Sequence, residues 1–287
     1  MISFSQLGNM GRLGNQFFQV AATIGAAKKN GLEYCVPKWE VNKYLNSPIT
    51  EKDYHRAQIT HHEKYCTYDP IDFELEADEE IDADLVGYFQ SEKYFIKSAN
   101  LIKQHLQPSE EIVHYIEDKY PTLFDEEDVA SLHVRRGDYL SLRHVYTATD
   151  LNYYEACLEQ CEAKKILVFS DDIKACKDVF EHRDNFFFIS ERGHSRELIS
   201  NTHSAEMDSK NYIKEDLVEL YLMSKCKYNI TTNSSYSWWG AWLNDREDKQ
   251  VFVPSQWFQH GHLQSICDPN KLETYMDDIV PKSWKRM

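Results

Sequence analysis

Positive charge is what this sequence has too little of. Its 287 residues carry 32 Lys and Arg against 47 Asp and Glu, a formal net charge of −15. A nucleic-acid binder or an anionic-membrane binder needs a positive field, so this balance excludes nucleic acid as a partner and leaves at most peripheral membrane contact. Long apolar runs are also missing, and no stretch approaches the ~20 residues of a membrane helix. The first residues, MISFSQLGNMGRLG, lack the charged-then-apolar pattern of a secretory leader. The seven cysteines make an odd set. Cys157 and Cys161 are spaced to share a helix face, but no second pair completes a zinc set. Free thiols in a reducing compartment are expected, which places the chain in the cytoplasm, at most peripheral at the inner membrane. The sequons at Asn229 and Asn233 then carry no glycan. Repeats and low-complexity tracts are absent. The acid is densest over Asp69–Asp84, where no EF-hand pattern occurs, and this stretch reads as a solvated loop.

What is present is a folding globular chain, 42% hydrophobic and 13% aromatic, long enough for two modest domains. The second half alternates short apolar runs with amphipathic stretches. Strands are predicted at Val129–Val134, Lys165–Ser170, Asn185–Ser190, Tyr228–Thr232 and Gln250–Pro254. Helices are predicted at Tyr153–Ala163, Ile173–Glu181, Lys214–Lys225 and Ser235–Leu243. Apolar strands alternating with helices indicate a parallel sheet covered on both faces, a Rossmann-like domain. The first half alternates less cleanly. Ile2–Gln6, Glu33–Pro37 and Asp84–Gln90 read as strands, and Asn15–Lys29 and Glu110–Lys119 as helices, with Gly31 as the stop of the first helix. The acidic stretch Thr122–Asp128 marks a boundary between domains 1–127 and 128–287, with the final helix free to pack back on the first. The expected fold class is therefore α/β, two facing Rossmann-like domains with an inter-domain cleft and ligands at the carboxyl ends of the strands.

Against the acidic background, the stretch SLHVRRGDYLS at Ser131–Ser141 stands out. A buried run delivers Arg135 and Arg136 side by side to a strand end. Arginine is permanently charged and presents a planar fork matched to phosphate oxygens. Gly137 allows a tight turn or a close approach. One of the two arginines is expected to pair with an acid such as Asp138 or Asp128, yet two at one strand end favour an anion site. His133 reads as a hydrogen-bonded core histidine rather than a base. In NITTNSSYSWWGAWL, Asn233, Ser234 and Ser235 precede a helix. They supply N-cap chemistry, and with the unpaired N–H groups of the helix start they can hold a phosphate. Trp238, Trp239 and Trp242 read as packing. The turn Gly8–Gly14 brings Gly14, Asn15 and Gln16 to a helix start but does not fit a P-loop. In LVFSDD, Asp171 and Asp172 could bind a nucleoside hydroxyl or a metal, or cap the next helix, and capping is expected for at least one.

Five motifs occur in one order: GRLGNQFFQVA, GYFQSEKYF, HVRRGDY, FSDD and TNSSYSWWGAWL. Together they resemble the bacterial α-1,2-fucosyltransferases of glycosyltransferase family 11. The resemblance spans most of the chain, and the G-R-x-G-N-Q loop and the arginine motif are also similar to protein O-fucosyltransferases. It implies a GT-B fold, GDP-β-L-fucose as donor, a galactose-terminated glycan as acceptor, inverting transfer to the 2-hydroxyl, and no cofactor or metal. It implies that Arg135 and Arg136 hold the donor pyrophosphate, with one of them central to catalysis. Ser234 and Ser235 would bind phosphate, and Gly14, Asn15 and Gln16 would lie beside the sugar or the β-phosphate. Asp171 or Asp172 would reach the nucleoside, and His133 and Asn233 fall within the donor-binding motifs. Asp138 is the nearest candidate base, its alternative role being to orient an arginine. Tyr236 stands where the family commonly has Phe, and Met-Gly-Arg-Leu-Gly where Gly-Gly-Leu-Gly is common. Transfer of another GDP-sugar is the rival within the class, and a non-catalytic nucleotide-sugar or glycan binder is the rival outside it. A glycosidase has no use for phosphate-binding residues.

Overall fold

The computed structural model describes residues 1–52, 57–73, 81–124, 128–190 and 212–287. The centre of the acidic stretch Asp69–Asp84 and part of the Thr122–Asp128 boundary lie outside the described residues. The chain divides into two units: Met1–Glu111 with Gln264–Pro281, and Ile112–Leu263 with Lys282–Met287. The division thus falls ahead of Thr122, and the chain crosses between units three times. Hydrogen bonds explain the return of 264–281. Cys66 N–H donates to the Ile266 carbonyl at 2.8 Å, Tyr68 N–H to Asp278 Oδ2 at 3.0 Å, and Lys271 Nζ to the Tyr68 carbonyl at 2.6 Å.

The first unit carries a parallel sheet of β1 (Ile2–Ser3), β2 (Tyr34–Cys35), β3 (Ile59–His62) and β4 (Ala83–Val86), in the order β2-β1-β4-β3. Helix α1 (Leu13–Lys29) buries Phe17, Phe18, Val20, Ala21 and Ile24. It stops where the sequence predicts: Gly31 has φ +66°, and Leu32 N–H donates to the Ala27 carbonyl and Gly31 N–H to that of Lys28, the paired bonds of a Schellman stop. Two strands are shorter than expected, each for a visible reason. β1 ends at Ser3 because Asp84 replaces the ladder there, accepting Ser5 N–H at 2.7 Å and the Ser3 hydroxyl at 3.0 Å. β4 ends at Val86 because the backbone turns at Gly87 and Phe89 takes φ +51°. The short helix α2 (Ala99–His105) follows, and Met276–Ile279 is the last helix of the unit.

The second unit opens at Ile112, within helix α3 (Glu110–Lys119), which begins two residues earlier. Its sheet is wholly parallel: β5 (Val129–Val134), β6 (Lys165–Ser170), β7 (Phe186–Phe188), β8 (Tyr228–Ile230), β9 (Gln250–Val253) and β10 (Lys285–Arg286), in the order β10-β9-β8-β5-β6-β7. Numbered within the unit, this is order 3-2-1-4-5-6, that of the dinucleotide-binding Rossmann fold. Helices α4 (Leu151–Leu158), α5 (Ile173–Phe180), α6 (Ile213–Met223) and α7 (Ser235–Trp242) connect or flank the strands. Every residue of β5 is buried, as expected of a central parallel strand covered on both faces. Leu132, Val168, Ile230 and Phe252 join Tyr154, Cys157, Ile173 and Cys176 in one core. The three tryptophans of α7 are buried, Trp238 stacking on Trp242 with ring centres 6.1 Å apart. The two-residue β10 has no apolar signature in the sequence. It forms because Met287 and Val253 continue the pairing with β9.

Candidate active site

In an open parallel sheet, ligands bind where the strand order reverses, outside the carboxyl ends of the two strands concerned. Here the reversal lies between β5 and β8. The residues after β5 are Arg135 and Arg136, and those after β8 lead through Asn233 and Ser234 into α7. The sheet order therefore brings the two strongest sequence candidates to one place.

The arginines have different surroundings. Arg135 is clamped, with Nη2 2.5 Å from Asp138 Oδ1 and Nη1 2.6 Å from Asp171 Oδ2. Its guanidinium lies 5.4 Å from the Tyr139 ring centre. Arg136 is exposed at 44% and bonds through Nε to Asp172 Oδ2 at 3.2 Å. Asp128, the other acid considered for an arginine, is held by Lys227 at 2.5 Å.

Asp171 organises the loop. Its Oδ1 accepts Arg136 N–H at 2.9 Å and Gly137 N–H at 3.2 Å, while Oδ2 takes Arg135. Burial pushes this carboxyl up, but the Arg135 charge and the two backbone donors outweigh it and hold the group below its ordinary value. Gly137 is required by this contact, since a Cβ there would lie 2.4 Å from Asp171 Oδ2. Asp172 caps α5, its Oδ1 accepting Ala175 N–H at 3.2 Å. The capping expectation therefore holds for Asp172, while Asp171 is committed to the arginine loop.

His133 is buried, with Nδ1 3.2 Å from the Thr232 hydroxyl. Burial first, and the Arg135 charge second, push it down to about 3, so it stays neutral at physiological pH. This is the core histidine that the sequence predicts. Asn233 is buried too, and its Nδ2 donates to the carbonyls of Thr147 and Trp257, both at 2.7 Å. Among the described residues its Oδ1 has no donor. Ser234 stands at the N-cap of α7, but its hydroxyl makes no cap bond. That departs from the capping expectation: Ser237 does the local bracing, accepting Thr232 N–H and donating to the Ser234 carbonyl, both at 3.3 Å. The first turn of α7 contains no acid, so none of its own side chains offsets the partial positive charge of the helix start.

Sequence reasoning missed Tyr139. Its hydroxyl donates to the Asn233 carbonyl at 2.8 Å, and its ring stacks on Tyr146 at 4.2 Å, with the planes 1° apart. It ties the arginine loop to the loop after β8. The signal was the last letter of HVRRGDY, which looked like an ordinary aromatic.

In the first unit, Gly14 is buried in the first turn of α1. Asn15 Oδ1 accepts Gln90 Nε2 at 2.7 Å, and Gln16 Oε1 accepts the Trp39 indole N–H at 2.8 Å. The unit also holds a carboxylate that the sequence did not single out, Glu63, directly after β3.

A model of glycosyl transferase family 11 matches residues 6–270. This chain belongs to that family. The family 11 chain is 32% identical to an Escherichia coli O-antigen biosynthesis glycosyltransferase, WbnK, over 63% of this chain and 57% of the relative. It is 27% identical to an Escherichia coli alpha-1,2-colitosyltransferase, over 71% and 62%. To a Caenorhabditis elegans galactoside 2-alpha-L-fucosyltransferase it is 25% identical, over 80% and 58%. The family 11 chain thus spans about three fifths of the length of these relatives. Among solved structures it is similar to the NodZ alpha-1,6-fucosyltransferase, with TM-score 0.53 and 12% identity over 84% of this chain and 91% of that one. It is also similar to POFUT1, with TM-score 0.51 and 12% identity over 88% and 97%. These likenesses establish the fold as α/β of the GT-B class, as the sequence predicts. Among the described residues, no helix is long and apolar enough to cross a membrane.

Proposed function

We propose that this family 11 glycosyltransferase transfers L-fucose from GDP-β-L-fucose, with inversion, to the 2-hydroxyl of a terminal galactose in an oligosaccharide or O-antigen unit. The observation that carries the reading is the arrangement at the sheet reversal: two arginines after β5 beside the N-terminus of α7 after β8. When the bond to the anomeric carbon breaks, negative charge grows on the β-phosphate of the leaving GDP. Fixed donors aimed at that charge are transition-state stabilisation of the electrostatic kind. Arg136, exposed and held through Nε alone among the described residues, presents the rest of its fork to the phosphate. Arg135, whose charge is already matched by Asp138 and Asp171, braces the loop that presents Arg136. The Ser234 hydroxyl, not consumed by capping, is available to a phosphate oxygen. Asp138 serves here as an orienting group for Arg135.

The reaction in this reading needs no metal. Asp171 already has both carboxylate oxygens engaged by the arginine loop, and Asp172 is shared between Arg136 and the cap of α5. A divalent ion would have to displace these bonds and sit beside two guanidinium groups. Glycan assembly on the cytoplasmic side, with peripheral contact at the inner membrane, fits the reading.

A second donor follows from the colitosyltransferase relative. Colitose lacks the 3-hydroxyl of fucose, and a site that binds mainly the GDP portion distinguishes the two weakly. The deciding experiment offers GDP-fucose, GDP-mannose and GDP-colitose against a panel of galactose-terminated acceptors and determines the linkage of any product by NMR. Transfer of fucose to O2 of galactose supports the reading, and preference for another sugar overturns the donor. Tight GDP binding without turnover of any donor favours a non-catalytic binder.

A further inference from the structure

Glu63 is the strongest chemical feature outside the site at the sheet reversal. It follows β3 directly, beside the carboxyl end of β4. Its Oε2 accepts Tyr88 N–H at 2.7 Å and its Oε1 accepts Phe89 N–H at 2.8 Å. Two consecutive backbone donors on one carboxylate fix a turn rather than decorate it. The fit is tight: a Cβ on Gly87 would lie 2.3 Å from Glu63 Cβ. Phe89 is held at φ +51°, a left-handed conformation that bulky residues avoid. Its ring is fully buried against Phe4, His61 and Tyr94. The next residue, Gln90, donates to Asn15 Oδ1 at 2.7 Å. The turn thus links a half-buried carboxylate to the Asn-Gln pair at the start of α1.

We propose that Glu63 is a positioning residue for the transfer reaction: its carboxylate holds the 87–90 turn so that Gln90 fixes the Asn15 carboxamide. This rests on the glycosyl-transfer reading above and on the family resemblance, which puts Asn15 beside the sugar or the β-phosphate. The carboxylate form matters, because only the ionised group accepts from both amides without presenting a proton of its own. Burial, opposed by the two amide bonds, pushes Glu63 up to about 7. Burial pushes Tyr94 and Cys66 up, and it holds His61 below its ordinary value. Cys267 stands behind Cys66, its thiol also pushed up by burial. The turn is therefore held above about pH 7 and loosened as the pH falls through that value.

The test uses the whole chain and the variants Glu63→Gln, Glu63→Asp and Gln90→Leu. Hydrogen exchange across pH 6–8, corrected for intrinsic rate, reads the protection of the Tyr88 and Phe89 amides. Protection in the wild type should rise as pH passes about 7 and be lost at every pH in Glu63→Gln. In steady-state transfer, Glu63→Gln should lower kcat at least ten-fold with GDP affinity kept within three-fold, and should abolish the acid limb near pH 7. Glu63→Asp, which keeps the charge on a shorter stem, should recover part of kcat and the limb. Gln90→Leu should reproduce the kcat loss, and adding it to Glu63→Gln should cause no further loss. Wild-type kcat and pH profile in a folded Glu63→Gln overturn the proposal. So do unchanged amide protection, and a loss of thermal stability that leaves the pH limb intact. Failure of the glycosyl-transfer reading is recognised separately, because the wild type itself is then silent with every donor; the exchange measurement still decides whether Glu63 holds the turn.

Discussion

Replacing Gly137 by alanine adds one methyl group at the most tightly constrained point of the arginine loop. The new Cβ would sit 2.4 Å from Asp171 Oδ2 and 3.0 Å from its Cγ. Asp171 cannot retreat freely, because it holds Arg136 N–H, Gly137 N–H and Arg135 Nη1 at 2.9, 3.2 and 2.6 Å. Overpacking alone costs roughly 1–3 kcal/mol, and a weakened bond to a charged group about 1.5–3 kcal/mol. The two share one displacement and do not add in full, so about 2–4 kcal/mol is expected. For a domain of 150–250 residues each kcal/mol is roughly 2–4 °C in Tm. Calorimetric unfolding of Gly137→Ala should therefore show a drop on the order of 5–15 °C in the transition of the second unit. GDP titration should show at least ten-fold weaker binding as Arg135 shifts. Gly261→Ala is the internal control, since a Cβ there meets nothing within 4 Å. It should change stability by less than about 1 kcal/mol, toward greater stability given its place in the helix Pro-free segment His260–Ile266. Wild-type Tm and GDP affinity in Gly137→Ala would refute the assignment of Asp171 as the organiser of this loop.

Arg136→Lys should leave the fold intact, because the side chain is exposed, and should lower kcat at least a hundred-fold, because lysine keeps the charge and loses the fork; near-normal turnover would move the catalytic role elsewhere. Ser234→Ala should weaken GDP binding while changing stability by less than about 0.5 kcal/mol, below the ~1 kcal/mol of a working cap; a full cap loss in denaturant titration would contradict the observed geometry. Asp171 contributes stability above its unfolded value near pH 4, and that contribution is lost as pH falls through its lower folded value; Asp171→Asn should therefore flatten the acid limb of the stability curve, and an unchanged limb would count against the clamp. Transfer should persist in excess EDTA; loss of turnover on chelation, restored by Mn²⁺ or Mg²⁺, would return Asp171 and Asp172 to the role of metal ligands.

The sequence by itself determined the central strands and helices of the second unit, though not β10, the helix His260–Ile266 or the bounds of the unit. Val129–Val134 and Lys165–Ser170 are strands over those very residues, because an unbroken apolar run bounded by polar residues has no other good way to bury itself. Glu110–Lys119 is a helix with the same bounds. The pairing of HVRRGDY with the serine loop was legible as motif chemistry. Tertiary structure decided which arginine is clamped and which is presented. Arg135 and Arg136 are adjacent and chemically identical, and they differ because Asp138 and Asp171 both take Arg135 while Asp172 alone takes Arg136, the last two acids following β6, the parallel neighbour of β5. It also decided that Ser234 does not cap its helix. Cap propensity is a local preference; here Ser237 braces the turn through Thr232 N–H and the Ser234 carbonyl, and the Ser234 hydroxyl makes no bond to the helix amides. The true strand ends in the first unit were likewise illegible. β1 and β4 stop early because Asp84 and Glu63 take the backbone donors that a longer ladder would have used. Glu63 lies far from Tyr88 and Phe89 in the chain and sits in no motif. A carboxylate bound to distant backbone amides leaves no periodic trace in sequence, since its partners are backbone groups that every residue carries.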